Sequence, residues 1–140
     1  MSHPHRLLVV DDEPDIRELV ALNFTVEGFE VLTAADGYEA ETLARSEHPD
    51  VIILDVMMPG RDGLEVLASL KSEPATCHIP VVLLTAKSGD DDIWTGWQAG
   101  IDYYVTKPFD LDALVRYVSH LVGEHDPAAD SRAEGSRART

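Results

Sequence analysis

The sequence predicts a doubly wound α/β fold, a parallel sheet of five strands with helices on both faces, and three observations carry that prediction. Short runs rich in Val, Ile and Leu (LLVV at 7–10, VIIL at 51–54, VVLL at 81–84) are separated by helix-length amphipathic segments, the pattern of strands buried on both faces. Strand and helix alternate five times without an internal repeat, as right-handed crossovers between parallel strands require. Chemistry-bearing residues follow the apolar runs: Asp11 and Asp12, Asp55, Thr85 and Lys107. Sheets of this class bind ligands beyond the carboxyl ends of their strands.

The elements follow in order. Leu7 to Val10 is the first strand. Pro14 suits the opening turn of a first helix, on which Ile16, Leu19, Val20 and Phe24 recur at helical spacing until Gly28 stops it. Glu30 to Ala34 is the second strand, Ala40 to Ala44 lies on the second helix, and His48-Pro49-Asp50 turns the chain into the strand Val51 to Leu54. Gly60 and Gly63 bracket a loop before a third helix with an expected inward face of Leu64, Leu67 and Ala68. Glu73-Pro74 ends that helix before the strand Pro80 to Leu84. A fourth helix is expected near Asp91 to Ala99, stopped by Gly100. The last strand, Tyr103 to Val105, leads through Lys107-Pro108 into a fifth helix capped by Asp110, with Leu111, Leu114, Val115, Val118 and Leu121 as its apolar stripe. The domain therefore runs over 6–123, after a flexible flank at 1–5. Residues 124–140, without apolar periodicity, are expected to be a disordered tail.

Composition narrows the function. A chain of 140 residues forms one domain with room for a core. Its formal net charge of −15 argues against direct contact with nucleic acid, whose backbone it would repel. No apolar stretch approaches a membrane span, so no membrane insertion is expected. The opening MSHPHR lacks the apolar core of a signal peptide. With the single cysteine Cys77 unable to form an internal disulfide, the expected compartment is the cytoplasm.

The strand-end residues define a chemistry. Asp11, Asp12 and Asp55 form a hard oxygen cage suited to Mg²⁺, and Lys107 and Thr85 supply donors for an oxyanion. Three carboxylates at one mouth repel one another strongly, so a cation must compensate. A metal with a phosphoryl group fits this set.

The acidic pair Asp11-Asp12, the segment D-V-M-M-P-G from Asp55, Thr85-Ala86 and the K-P-F triplet at Lys107 resemble the receiver domain of bacterial two-component response regulators, from about Arg6 to about Val122. The resemblance implies a flavodoxin-like sheet of order 2-1-3-4-5, which sets Asp12 beside Asp55 at the topological switch point. It implies that Asp55 is the phosphoacceptor, that Asp12 and Asp55 ligate Mg²⁺ (or Mn²⁺) directly with the backbone carbonyl of Met57, and that Asp11 assists through water. Lys107 would stabilise the transferred group, while Thr85 and Tyr104 would act as switch residues. The phosphoryl donor would be a sensor histidine kinase or a histidine phosphotransfer protein. Output would pass through the face of the fourth helix, fifth strand and fifth helix, carrying Ile93, Trp97 and Tyr104, to a downstream protein or into a phosphorylation-driven homodimer. The chain reads as a stand-alone receiver. It is no enzyme in the usual sense, with self-phosphorylation and slow loss of its own phosphate as its only turnover.

Blander readings stand beside these. Asp11 or Asp12 alone would serve as a helix cap, His120 as a solvated helix residue, and Asp90-Asp91-Asp92 as an acidic helix start rather than a calcium loop. Met57 and Lys87 occupy positions that tune phosphate lifetime in the resembled family. A flavin carrier shares the fold but would need a phosphate-cradling loop where this chain has D-D-E-P-D. An aspartyl phosphatase would need a general acid where Met57 stands. A constitutive binding module of the same fold is the remaining alternative.

Overall fold

Side chains alternate across a strand, and that parity sorts the apolar runs into two cores. Leu8, Val10, Ile52, Leu54, Val81 and Leu83 enter one cluster, whereas Leu7, Val9, Val51, Ile53, Val82 and Leu84 enter the other. The computed structural model describes residues 4–86, 103–107 and 109–124. Within them the order is β1 (Arg6–Val10), α1 (Pro14–Val26), β2 (Glu30–Ala34), α2 (Gly37–Glu47), β3 (Val51–Asp55), α3 (Gly63–Lys71), β4 (Val81–Ala86), β5 (Tyr103–Lys107) and a C-terminal helix, Leu111–Glu124. The strands form one parallel sheet of order β2-β1-β3-β4-β5. The expected fourth helix, with Ile93, Trp94 and Trp97, lies outside the described residues, as do Lys87 and residues 125–140.

Ala40, Ala44, Val66, Leu67 and Leu70 bring α2 and α3 onto the first core. Val20 and Phe24 of α1, with Leu114, Val118 and Leu121 of the C-terminal helix, cover the second. Among the described residues no helix is long and apolar enough to cross a membrane.

Helix ends are built by local chemistry. At the end of α1, Gly28 takes φ +100°, its N–H donates to the Thr25 carbonyl, and the Phe29 N–H donates to Phe24 at 3.0 Å. This left-handed cap is closed by Phe29 meeting Phe24 edge-on, ring centres 5.1 Å apart. Asp36 and Asp62 cap α2 and α3, each accepting an N–H three residues on, and Glu65 returns the bond to Asp62. Asp110 accepts the Asp112 N–H at the start of the C-terminal helix, as expected.

Two expected faces are corrected. On α3 the buried residues are Val66, Leu67 and Leu70, while Ala68 is exposed and Leu64 half-buried. Gly63 is the reason. A Cβ there would stand 2.3 Å from the Asp55 carbonyl oxygen, so the first turn presses on the end of β3 and the contact line runs through positions 63, 66, 67 and 70. On α1 the line runs through Ile16, Val20 and Phe24, which leaves Leu19 49% exposed on its shoulder.

Candidate functional site

Because β1 and β3 are adjacent, the residues that end them meet. Asp11 and Asp12 follow Val10, and Asp55 closes β3. Thr85 and Lys107 lie within β4 and β5 rather than past them, since the ladder continues through the pairs Thr85 with Thr106 and Ala86 with Lys107.

Asp11, Asp12 and Asp55 each offer a carboxylate oxygen within 4.8 Å of the others. Oxygens around one Mg²⁺ at about 2.1 Å would stand roughly 3–4 Å apart, so this donor set fits the ion. Asp11 and Asp55 are almost wholly buried, and Asp12 is half-buried. One oxygen of Asp11 accepts the Glu13 N–H at 3.0 Å, a turn at the entry to α1. The helix-capping role weighed for Asp11 and Asp12 is not what is seen, because Glu13 holds the N-cap position and no side chain closes it.

Lys107 Nζ stands 3.4 Å from Asp11 Oδ2 and 3.4 Å from Asp55 Oδ1. Burial pulls the ammonium down, but the two carboxylates outweigh it and hold its pKa above the ordinary lysine value. Asp55 is pushed up to about 6, chiefly by burial and then by repulsion from Asp11, against the opposing pull of Lys107 and of the Met57 N–H. The surroundings of Asp55 thus resist its charge, with Lys107 and the Met57 N–H as the opposing support.

Of the other expected residues, Met57, Thr85 and Tyr104 fall among the described residues, whereas Ile93 and Trp97 do not. Met57 is exposed, and its N–H donates to Asp55 Oδ1 at 3.2 Å. The Thr85 hydroxyl is buried and has no hydrogen-bond partner among the described residues. Tyr104 on β5 packs half-buried against the first core. A groove of about 890 Å³ opens beside the carboxylates, lined by Asp12, Glu13, Ile16, Met57, Lys107 and Phe109 among others.

One group near the site went unread in the sequence. Glu41, buried on α2, is bonded to Arg61 of the segment joining β3 to α3, and also accepts from Arg45 and Ser69, each at 3.2 Å. The signal was a carboxylate at position 41 on the stripe 37, 40, 41 and 44, which buries the inner face of α2.

The response regulator receiver domain family model matches residues 7–119. The probable transcriptional regulatory protein TcrX of Mycobacterium tuberculosis is 47% identical over 114 residues, 81% of this chain and 48% of that protein. The DNA-binding dual master transcriptional regulator RpaA of Synechocystis is 39% identical over 121 residues, 86% of this chain and 50% of that protein. The chain therefore spans about half the length of the curated relatives it matches. Among solved structures, the receiver domain of the Francisella response regulator 1452 superposes with a TM-score of 0.80 at 33% identity, covering 87% of this chain and 99% of that one. The chemotaxis protein CheY4 of Vibrio cholerae gives 0.79 at 32% identity, covering 84% and 98%.

Proposed function

Because this chain belongs to the response regulator receiver domain family, we propose that it is a phosphorylation-dependent switch whose Asp55 accepts a phosphoryl group from a phosphohistidine on a sensor kinase or a histidine phosphotransfer protein. The observation that carries this reading is the burial of Asp55 at a strand end, with two further carboxylates and the Lys107 ammonium converging on it. An Asp55 oxygen attacks phosphorus, the new O–P bond forms as the P–N bond breaks, and the electron pair returns to the imidazole nitrogen. Lys107, 3.4 Å from both Asp55 and Asp11, would pair with a phosphoryl oxygen. Asp12, Asp55 and the Met57 carbonyl would hold Mg²⁺ or Mn²⁺, with Asp11 behind them. Bound there, the ion supplies positive charge to the carboxylates and to the phosphoryl oxygens.

The acyl phosphate brings oxygens to Thr85, whose hydroxyl otherwise has no partner among the described residues, and Tyr104 follows it inward. Such a switch is biased only by the difference in contacts between its two states. Output then passes through the face carrying Tyr104, with Ile93 and Trp97, to a protein target in the cytoplasm or to a second copy. Beyond accepting phosphate and slowly hydrolysing it, the domain catalyses nothing.

Intact mass after incubation with Mg²⁺ and acetyl phosphate tests this. The expected result is a phosphoryl adduct that needs Mg²⁺, is lost in alkali and is absent from Asp55→Asn. Failure of the folded wild type to gain the adduct, together with no fluorescence response to beryllium fluoride, would favour a constitutive interaction module.

A further inference from the structure

The segment that carries Met57 closes on itself and is held at its far end by a buried carboxylate. The Gly63 N–H donates to the Val56 carbonyl at 3.0 Å, so residues 57–62 form a closed loop starting beside Asp55. Met58 is buried in the first core, and Gly60 makes the bend at φ +82°. At Arg61 the loop reaches α2. A Cβ on Gly37 would lie 2.7 Å from the Arg61 carbonyl oxygen, which means that the loop backbone rests on the first turn of α2. The Arg61 guanidinium is held by two side chains of that helix: Nε bonds the Glu41 carboxylate, and the carbon of the head lies 5.9 Å from the Tyr38 ring centre. Glu41 is held in turn by Ser69 of α3 and by Arg45, which also pairs with Glu73 at 2.7 Å. A buried carboxylate of this kind is retained only where its partners satisfy it.

We propose that the Glu41–Arg61 pair is a positioning clamp that fixes the 57–62 loop, and with it the Met57 carbonyl, for cation binding at the Asp11–Asp12–Asp55 site. The inference rests on the metal-dependent receiver reading above and assigns it two residues outside the carboxylate cluster. Partners that orient a ligand without touching the ion are known to govern metal affinity.

Titration of MgCl₂ into the full ¹⁵N-labelled chain, followed at backbone amides, tests the clamp. Arg61→Met should weaken Mg²⁺ binding about tenfold and shift the Met57 and Met58 amides before any metal is added. Glu41→Gln, which keeps the side-chain shape, should weaken it in the same direction but by less than Arg61→Met. Arg45→Met is the discriminating control, because Arg45 bonds the same Glu41 and the half-buried Glu73 but no residue of the loop. It should leave Mg²⁺ affinity within about twofold of wild type even as stability falls. Arg61→Met with wild-type affinity overturns the clamp, and so does an equal loss in Arg45→Met, which would mean general loosening. A wild type without saturable response to Mg²⁺ overturns the metal site itself and the clamp with it.

Discussion

As the proposed phosphoacceptor Asp55 would have to be ionised to attack phosphorus, yet burial and the neighbouring Asp11 favour its neutral form and raise its pKa from 3.8 to about 6. In metal-free protein this is a stability cost with a definite sign. A carboxyl that binds its proton more tightly when folded destabilises the fold above the raised pKa, and the cost vanishes as pH falls towards the unfolded value. Lys107 acts oppositely, but its contribution is lost only as pH rises past the ordinary lysine range. Asp55→Asn in a chelator should therefore stabilise the domain at pH 7.5 by about 1–3 kcal/mol, with the gain shrinking towards pH 4. Urea titrations at the two pH values check this, and a gain independent of pH would contradict it. Thr85 makes a second case. Its buried hydroxyl already lacks a partner among the described residues, so Thr85→Val should leave the unphosphorylated domain unchanged or up to about 1 kcal/mol more stable. The same variant should still take up phosphate while losing most of the gain in partner affinity. An unaltered gain would remove Thr85 from the switch.

Among the described elements, α3 is tightly constrained at its start, because its first residue abuts the backbone of Asp55 and Val56. Gly63→Ala would place a Cβ 2.3 Å from the Asp55 carbonyl oxygen and 2.8 Å from the Val56 Cα. Backbone cannot yield as a flexible side chain does, so the expected loss is about 2–4 kcal/mol, read as a lowered urea midpoint. The same contact explains where sequence reading succeeded and where it turned aside. Strands β1, β3 and β4 were legible because both their faces are buried and their runs are apolar throughout. Periodicity alone extended α3's inward face to Ala68, since it contains no record of Gly63 meeting β3. Thr85 and Lys107 were read as lying past their strands because polar residues end an apolar run, whereas the hydrogen-bond ladder is indifferent to side-chain polarity. The three aspartates and Lys107 are legible as a set because each follows an apolar run. Glu41 and Arg61 are not, because they stand 20 positions apart on different elements and no local pattern couples them.

For the whole molecule the dominant quantity is a net charge of −15 on 140 residues, which destabilises the compact state through self-repulsion. Sodium chloride should therefore stabilise it modestly, and Mg²⁺ at matched ionic strength should add a site-specific term of about 2.7 kcal/mol at one hundred times its dissociation constant. Asp12→Ala should abolish the second effect and keep the first, as thermal unfolding in the two salts would show. The division of the interior by the sheet has a different consequence. Leu67 and Val118 lie in separate cores on opposite faces, and a double-mutant cycle between Leu67→Ala and Val118→Ala should give a coupling below about 0.5 kcal/mol. Free energies that add in this way let the two helical layers drift independently. A lineage can rewrite the outer surface of α1 and the C-terminal helix for new associates, while the layer of α2 and α3 keeps its inherited packing beneath the site.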